Sequence, residues 1–134
     1  MRLLNSVCSV IAEKFVGVPV HIRQVPSEFR RGWFYASRVT SSNSIVNYGV
    51  FKDSPIFQII YFGKLDEAKQ VDVEELYTVE GELKALFLLR RAVPVILKAG
   101  EKQRYAKIES YTSDLREDEG AVYVKMTLTF TDDN

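Results

Sequence analysis

Cysteine is almost missing from this chain. Cys8 is the only one in 134 residues, so no intrachain disulfide can form and a cysteine-based metal site is excluded. Histidine is equally scarce. His21 stands alone, without the second imidazole or thiol that a metal site or a nucleophile–base pair requires. The seven glycines are scattered, which leaves no loop able to cradle phosphate. There is no excess of charge of one sign: 18 basic and 18 acidic side chains give a formal net charge of zero. That argues against a domain whose main task is gripping nucleic acid, since phosphate neutralisation needs a clustered basic surplus. It also does little to keep copies apart, so self-association is tolerated. No run approaches the 18 apolar residues of a membrane-spanning helix. The start, Met1-Arg2-Leu3-Leu4-Asn5-Ser6, does not read as a signal peptide. Synthesis in a reducing cytoplasm is the simplest reading.

What is present is ordinary globular composition, 46% apolar and 27% charged. Residues 1–134 read as a single domain, long enough to bury a real core. Residues 2–16 predict an amphipathic helix, with Leu3, Leu4, Val7, Val10, Ile11 and Phe15 on one stripe and Gly17 at its end. Val18, Val20 and Ile22 alternate as a short strand, which Pro19 assigns to a strand start or a sheet edge. Residues 24–31 are polar and read as loop. A second strand spans 32–39, with Trp33, Tyr35 and Val39 on one side and Phe34, Ala36 and Arg38 on the other. Residues 40–47 are rich in turn formers. Pro55 marks the start of a third strand, Ile56 to Phe62, apolar on both faces.

After a charged connector at 64–71, residues 72–90 predict a second helix with Leu76, Val79, Leu83, Leu86 and Phe87 on its buried stripe. Asp72, Glu74 and Glu75 near its start and Lys84, Arg90 and Arg91 near its end suit the helix dipole. Gly81 in mid-helix costs about 1 kcal/mol against alanine, which marks it as a place of close contact with the sheet. Val93, Val95 and Leu97 predict a fourth strand, residues 104–111 a fifth, and 112–120 an acidic loop. The last strand alternates strictly: Val122, Val124, Met126, Leu128 and Phe130 on one face; Tyr123, Lys125, Thr127, Thr129 and Thr131 on the other. The order α-β-β-β-α-β-β-β predicts an α+β fold, with a mainly antiparallel sheet and two helices on one face.

No catalytic constellation emerges. His21 lies in a predicted strand, and its bland reading is structural. Cys8 borders the helix stripe and reads as a small buried apolar residue. Ser41, Ser42 and Ser44 have no base beyond His21 and no nucleophile-elbow pattern. Asp114, Glu117, Asp118 and Glu119 do not match a calcium-loop spacing. Arg30 and Arg31 beside Trp33, Phe34 and Tyr35 are too slight a patch for nucleic acid. No catalytic residue, cofactor or metal is therefore expected. The unusual feature is the aromatic load of strands two and three. Trp33, Phe34, Tyr35, Phe57, Tyr61 and Phe62 exceed what two helices on one face should cover, and uncovered apolar surface marks an interface.

The segments VPVHIRQV, SEFRRGWFYASRV, PIFQIIYFGK, VDVEELYTVEGELKALFLL and AVYVKMTLTF follow one another as elements do in the small tail-terminator proteins of tailed phages and phage-tail-like particles, and the chain resembles that family. The resemblance implies a structural, non-enzymatic protein that forms a ring, commonly of six subunits, on the end of the tail tube. Such a ring stops tube polymerisation and offers its other face to the head connector. The implied partners are further copies of the chain and the tube protein, with the sheath protein and the head–tail connector as additional candidates. No membrane and no sequence-specific nucleic acid is among them. The implied location is the virion or particle, assembled in the bacterial cytoplasm. The alternatives are a head–tail joining or other completion protein, and a small α+β ligand-binding module. The side chains that would meet neighbouring subunits are Arg30, Arg31, Trp33, Tyr35, Ile45, Tyr48, Phe51, Leu115, Arg116 and Tyr123. They come from the aromatic strand, the hairpin around 40–54 and the acidic loop.

Overall fold

Apolar periodicity places the helices, and cross-strand pairing places everything else. The computed structural model describes residues 2–47, 50–96, 99–100 and 102–133, with side chains described at 3–39, 55–96, 99–100 and 102–129. It contains α1 (Arg2–Lys14), β1 (Val20–Ile22), β2 (Phe34–Asn47), β3 (Val50–Phe62), α2 (Val73–Leu88), β4 (Ala92–Pro94), β5 (Tyr105–Arg116) and β6 (Ala121–Asp133). The strands form one six-stranded sheet in the order β1-β2-β3-β6-β5-β4. Only β1 and β2 run parallel; the other pairs are antiparallel. The fold class and the element order are those expected. Pro19 precedes β1 and Pro94 ends β4, both edge strands, where a missing N–H interrupts no ladder.

Both helices lie on one face. Leu4, Val7, Ile11 and Phe15 from the first, with Leu76, Val79, Leu83 and Phe87 from the second, join Phe34, Ala36, Phe57, Ile59, Tyr61, Val122, Val124, Met126 and Leu128 in one core. Asp72 caps α2, its carboxylate accepting the Glu75 N–H at 3.2 Å, which satisfies one of the free donors of the first turn. The buried stripe is the one the sequence indicates, except that Leu86 is only partly buried. In β6 the alternation holds wherever side chains are described: Val122, Val124, Met126 and Leu128 are buried, and Tyr123, Lys125, Thr127 and Thr129 face away.

Three expectations are corrected. Residues 40–47 are strand, and β3 begins at Val50, with Ser41 opposite Pro55 and Asn47 opposite Val50. The turn-forming serines and asparagines are overridden by pairing with β3, because β propensity follows the neighbouring strands more than the residue. Pro55 lies inside β3, and the β3–β6 pairs skip positions 54 and 55, as a residue without an N–H would require. Residues 112–116 are likewise strand, so the acidic loop shrinks to a turn at 117–120.

The two ends of the sheet differ. Among the described side chains, the helix-packed core extends to Ala36, Phe57 and Leu128. The ladder of β2, β3 and β6 continues beyond it to Asn47, Val50 and Asp133, past the last β5–β6 pair at Lys107 and Thr129. At about 3.3 Å per residue, the stretch from Thr40 to Asn47 makes an arm about 25 Å long.

Two glycines separate backbone need from helix penalty. Gly120 turns β5 into β6 at φ +65°, and a Cβ there would come within 2.6 Å of Val71 and 2.7 Å of Arg31. Gly81 has nothing within 4 Å of a built Cβ, which corrects the expected contact with the sheet. Gly81→Ala should therefore raise unfolding stability by about 1 kcal/mol. Gly120→Ala should lower it by more than about 1 kcal/mol. Urea denaturation of the two variants beside the parent checks both signs.

Candidate subunit interface

The second face of the sheet is covered at one end by the chain itself. Residues 23–33 cross it, and Val25 and Trp33 pack on a small cluster of Tyr35, Ile60, Phe62 and Ala121. Phe29 stacks on Phe62 with ring centroids 3.9 Å apart. The Arg30 backbone N–H donates to the Tyr35 hydroxyl at 2.9 Å. The expected uncovered aromatic sheet is therefore largely absent. Tyr35 is 3% exposed, Phe57 2% and Tyr61 3%, the last two beneath the helices. A segment polar in composition supplies the missing cover through Val25, Phe29 and Trp33.

Arg31 fastens that cover. Its guanidinium donates to the carbonyls of Gly63 at 3.3 Å, Gly120 at 3.2 Å and Glu119 at 3.3 Å. It thereby ties the crossing loop to the end of β3 and to the β5–β6 turn. Arg30 behaves differently. Its guanidinium lies 5.2 Å from the Trp33 ring centroid, and His21 stacks on the same ring at 4.4 Å. His21 is thus part of an aromatic stack, with its Nε2 buried and without a hydrogen-bond partner.

The expected contact residues fall in separate places. Arg30, Trp33 and the exposed edge of Phe29 form a rim at the closed end of the sheet. Arg116 and Tyr123 sit together on the face away from the helices, the guanidinium 3.9 Å above the ring. Arg116 also pairs with Asp114 at 2.9 Å and Glu119 at 3.4 Å. Leu115 does not join them, because its partly buried side chain packs on the helix-side core. Tyr35 is covered by its own chain and Arg31 is engaged in holding the loop. Ile45 and Phe51 are register partners near the tip of the arm, and their side chains lie outside the described ones. Tyr48 lies outside the described residues.

A further group escaped sequence reasoning. Arg23, Arg38 and Gln58 line one groove on the open part of the sheet face, and Gln58 and Lys125 line another beside Arg116. Alternation already turns Lys125 outward. What no local signal reveals is the register that sets Ser37 beside Gln58 and Gln58 beside Lys125.

Among the described residues, no group of three or more His, Cys, Asp or Glu side chains could hold a metal ion. No described helix is long and apolar enough to cross a membrane. Cys8 is buried in the helix-side core, and burial pushes its thiol up to about 11.

Fold and surface together define a small α+β sheet domain whose described polar and aromatic side chains are spread over one sheet face and its closed end. The family model described as phage tail terminator protein matches residues 2–132, and the chain belongs to that family. It is accordingly a structural component of a phage tail, with a role in tail completion and contacts to other tail components. A search of curated proteins found no match.

Two predictions follow from this geometry. Arg31→Met removes three donor contacts and should lower unfolding stability by about 1–2 kcal/mol, whereas Arg30→Met should change it by less than about 0.5 kcal/mol; chemical denaturation separates them. The raised Cys8 thiol makes the folded state hold its proton while the unfolded chain releases it, so stability should fall as pH rises from 9 towards 11. Tyr61 and Tyr111, whose phenols burial also pushes up, act in the same direction at higher pH. Cys8→Ala should flatten the first part of that decline in denaturation curves taken at intervals between pH 8 and 11.

Proposed function

We propose that the protein forms a closed ring that caps the end of the tail tube, stops its polymerisation and presents its opposite face to the head connector. The observation that carries this reading is the family match over nearly the whole chain. The distribution of surfaces supports it. A cyclic ring uses heterologous contacts, so each copy must offer two unlike surfaces. Here the arm with Ile45 and Phe51 stands at one end of β2, and the rim of Phe29, Arg30 and Trp33 stands at the other. Twelve residues of extended chain separate Trp33 from Ile45, which is about 40 Å.

Surface area points the same way. The chain exposes 8153 Å², against about 7,200 Å² for a compact monomer of this mass. The excess, about 950 Å², is of the order of the roughly 800 Å² that each partner contributes to a standard interface. The tube protein and further copies of the chain are the partners this reading requires, with the connector and any sheath on the outer face.

The test is assembly. Purified protein mixed with tube protein should yield rings at tube ends in negative-stain images, a hexamer-sized species by light scattering, and shorter tubes as its proportion rises. A protein that stays monomeric with tubes present and leaves tube length unchanged would refute the reading.

A further inference from the structure

The sheet face turned away from the helices is cationic where the crossing loop leaves it open. A groove of about 330 Å³ lies between residues 23–25 and the middle of β2 and β3. Arg23, Gln24, Ser37, Arg38 and Gln58 provide its polar lining, and no carboxylate is among them. The adjoining groove, about 240 Å³, shares Gln58 and adds Lys125, Arg116 and Asp114. Asp114 is already held by Arg116 at 2.9 Å. Among the described residues lining the two grooves, Arg23, Arg38, Arg116 and Lys125 outnumber the one carboxylate, Asp114, in a chain whose total formal charge is zero.

The compensating charge is concentrated elsewhere. Glu117, Asp118 and Glu119 follow one another in the β5–β6 turn, all exposed. The turn is pre-organised. The Gly120 N–H donates to the Glu117 carbonyl at 3.1 Å, and Arg31 holds the carbonyls of Glu119 and Gly120. Glu117 accepts from the Tyr77 hydroxyl at 2.9 Å, and Glu119 pairs with Arg116. Among the described residues, neither Asp118 nor Arg23 makes an ion pair.

Within one molecule the turn reaches this face only through the Arg116–Glu119 pair, at the edge of the smaller groove; it does not reach the Arg23 end. The groove centres on the Ser37–Gln58 pair, and the turn leads into Ala121, which lies opposite Phe62. That is four residues, or about 13 Å, further along β3, and on its other flank. Nor does the groove suit a nucleic-acid backbone. Its volume admits a few side chains, and the chain has no basic surplus to hold a polyanion. A rigid turn bearing three carboxylates fits better, because little ordering entropy is lost when it docks.

We propose that this groove receives the acidic β5–β6 turn of a second copy, with Asp118 against Arg23 and with Gln24, Ser37 and Gln58 donating to the incoming carboxylates. The contact joins two unlike surfaces, as a ring demands, and so it rests on the ring reading. Complementary charge at such a junction sets register and steers encounter.

Charge reversal and its rescue test it. Arg23→Glu and Asp118→Arg alter exposed side chains, and circular dichroism verifies that each variant is folded. Under conditions where the parent assembles, each single variant should need about tenfold or more protein to reach half assembly by light scattering. The double variant, which restores opposite charges across the junction, should return to within about threefold of the parent. Parent-like assembly of both single variants would overturn this contact and leave the ring standing, and so would a double variant no better than either. A normally assembling Arg23→Glu variant that loses affinity for a short DNA duplex would reassign the groove to nucleic acid. A parent that never assembles would remove the ring and this contact with it.

Discussion

Burying both faces of the second half of β3 is the constraint around which this molecule is organised. Phe57, Ile59 and Tyr61 point towards the helices, and Ile60 and Phe62 point the other way. Each large apolar side chain left in water forgoes about 1.5–3 kcal/mol, so a sheet with helices on one face alone would be poorly stabilised there. Ordering a loop across the second face has its own entropy cost, roughly 1–2 kcal/mol per residue. Apolar burial by Val25, Phe29 and Trp33 opposes that cost, and the Arg31 contacts lock the loop in place. The close approach of Val71 and Arg31 to Gly120 belongs to the same arrangement, because a side chain at that turn would displace the clamp.

Closing one end in this way leaves the rest of the sheet free for other uses. Among the described residues, the ladder of β2, β3 and β6 continues past the last β5–β6 pair. Between arm and closed end, the outward face carries Arg23, Arg38, Gln58 and Lys125 instead of aromatic rings. Membership of the tail terminator family gives these surfaces a context, since a tail-completing protein must contact more than one kind of neighbour.

How much of this could be read from the amino acids depended on whether the deciding contact was local. The β6 alternation and the α2 stripe were legible because each is a repeat within one element that faces one core. The edge position of β1 followed from Pro19. A hairpin around 40–54 was expected, but the strand character of 40–47 was not legible, because its serines and asparagines favour turns locally and only pairing with β3 makes them strand. The loop cover was hidden for a similar reason: Arg31 meets carbonyls 88 and 89 positions away, and nothing in the string SEFRRGW announces that. Of the expected contact side chains, Arg30, Trp33, Arg116 and Tyr123 do reach the surface. Tyr35 was misjudged because its cover comes from a segment whose average polarity conceals Val25 and Phe29.

The exchange of an aromatic surplus for a cationic face changes the physics of assembly. A bare aromatic sheet would be sticky towards any apolar surface and hazardous before partners arrive. A charged and amide-lined face stays hydrated, discriminates by charge pattern and draws its complement in over roughly a Debye length, about 8 Å at physiological ionic strength. A formal charge of zero then conceals a separation of charge, positive on the open face and negative at the turn. Uniform charge would repel identical copies, whereas separated charge lets one copy's turn attract the next copy's face. In the ring proposed for this chain, where identical neighbours would have to join in one register, that separation would do what a hydrophobic patch could not, because burial of apolar area favours contact without specifying which contact.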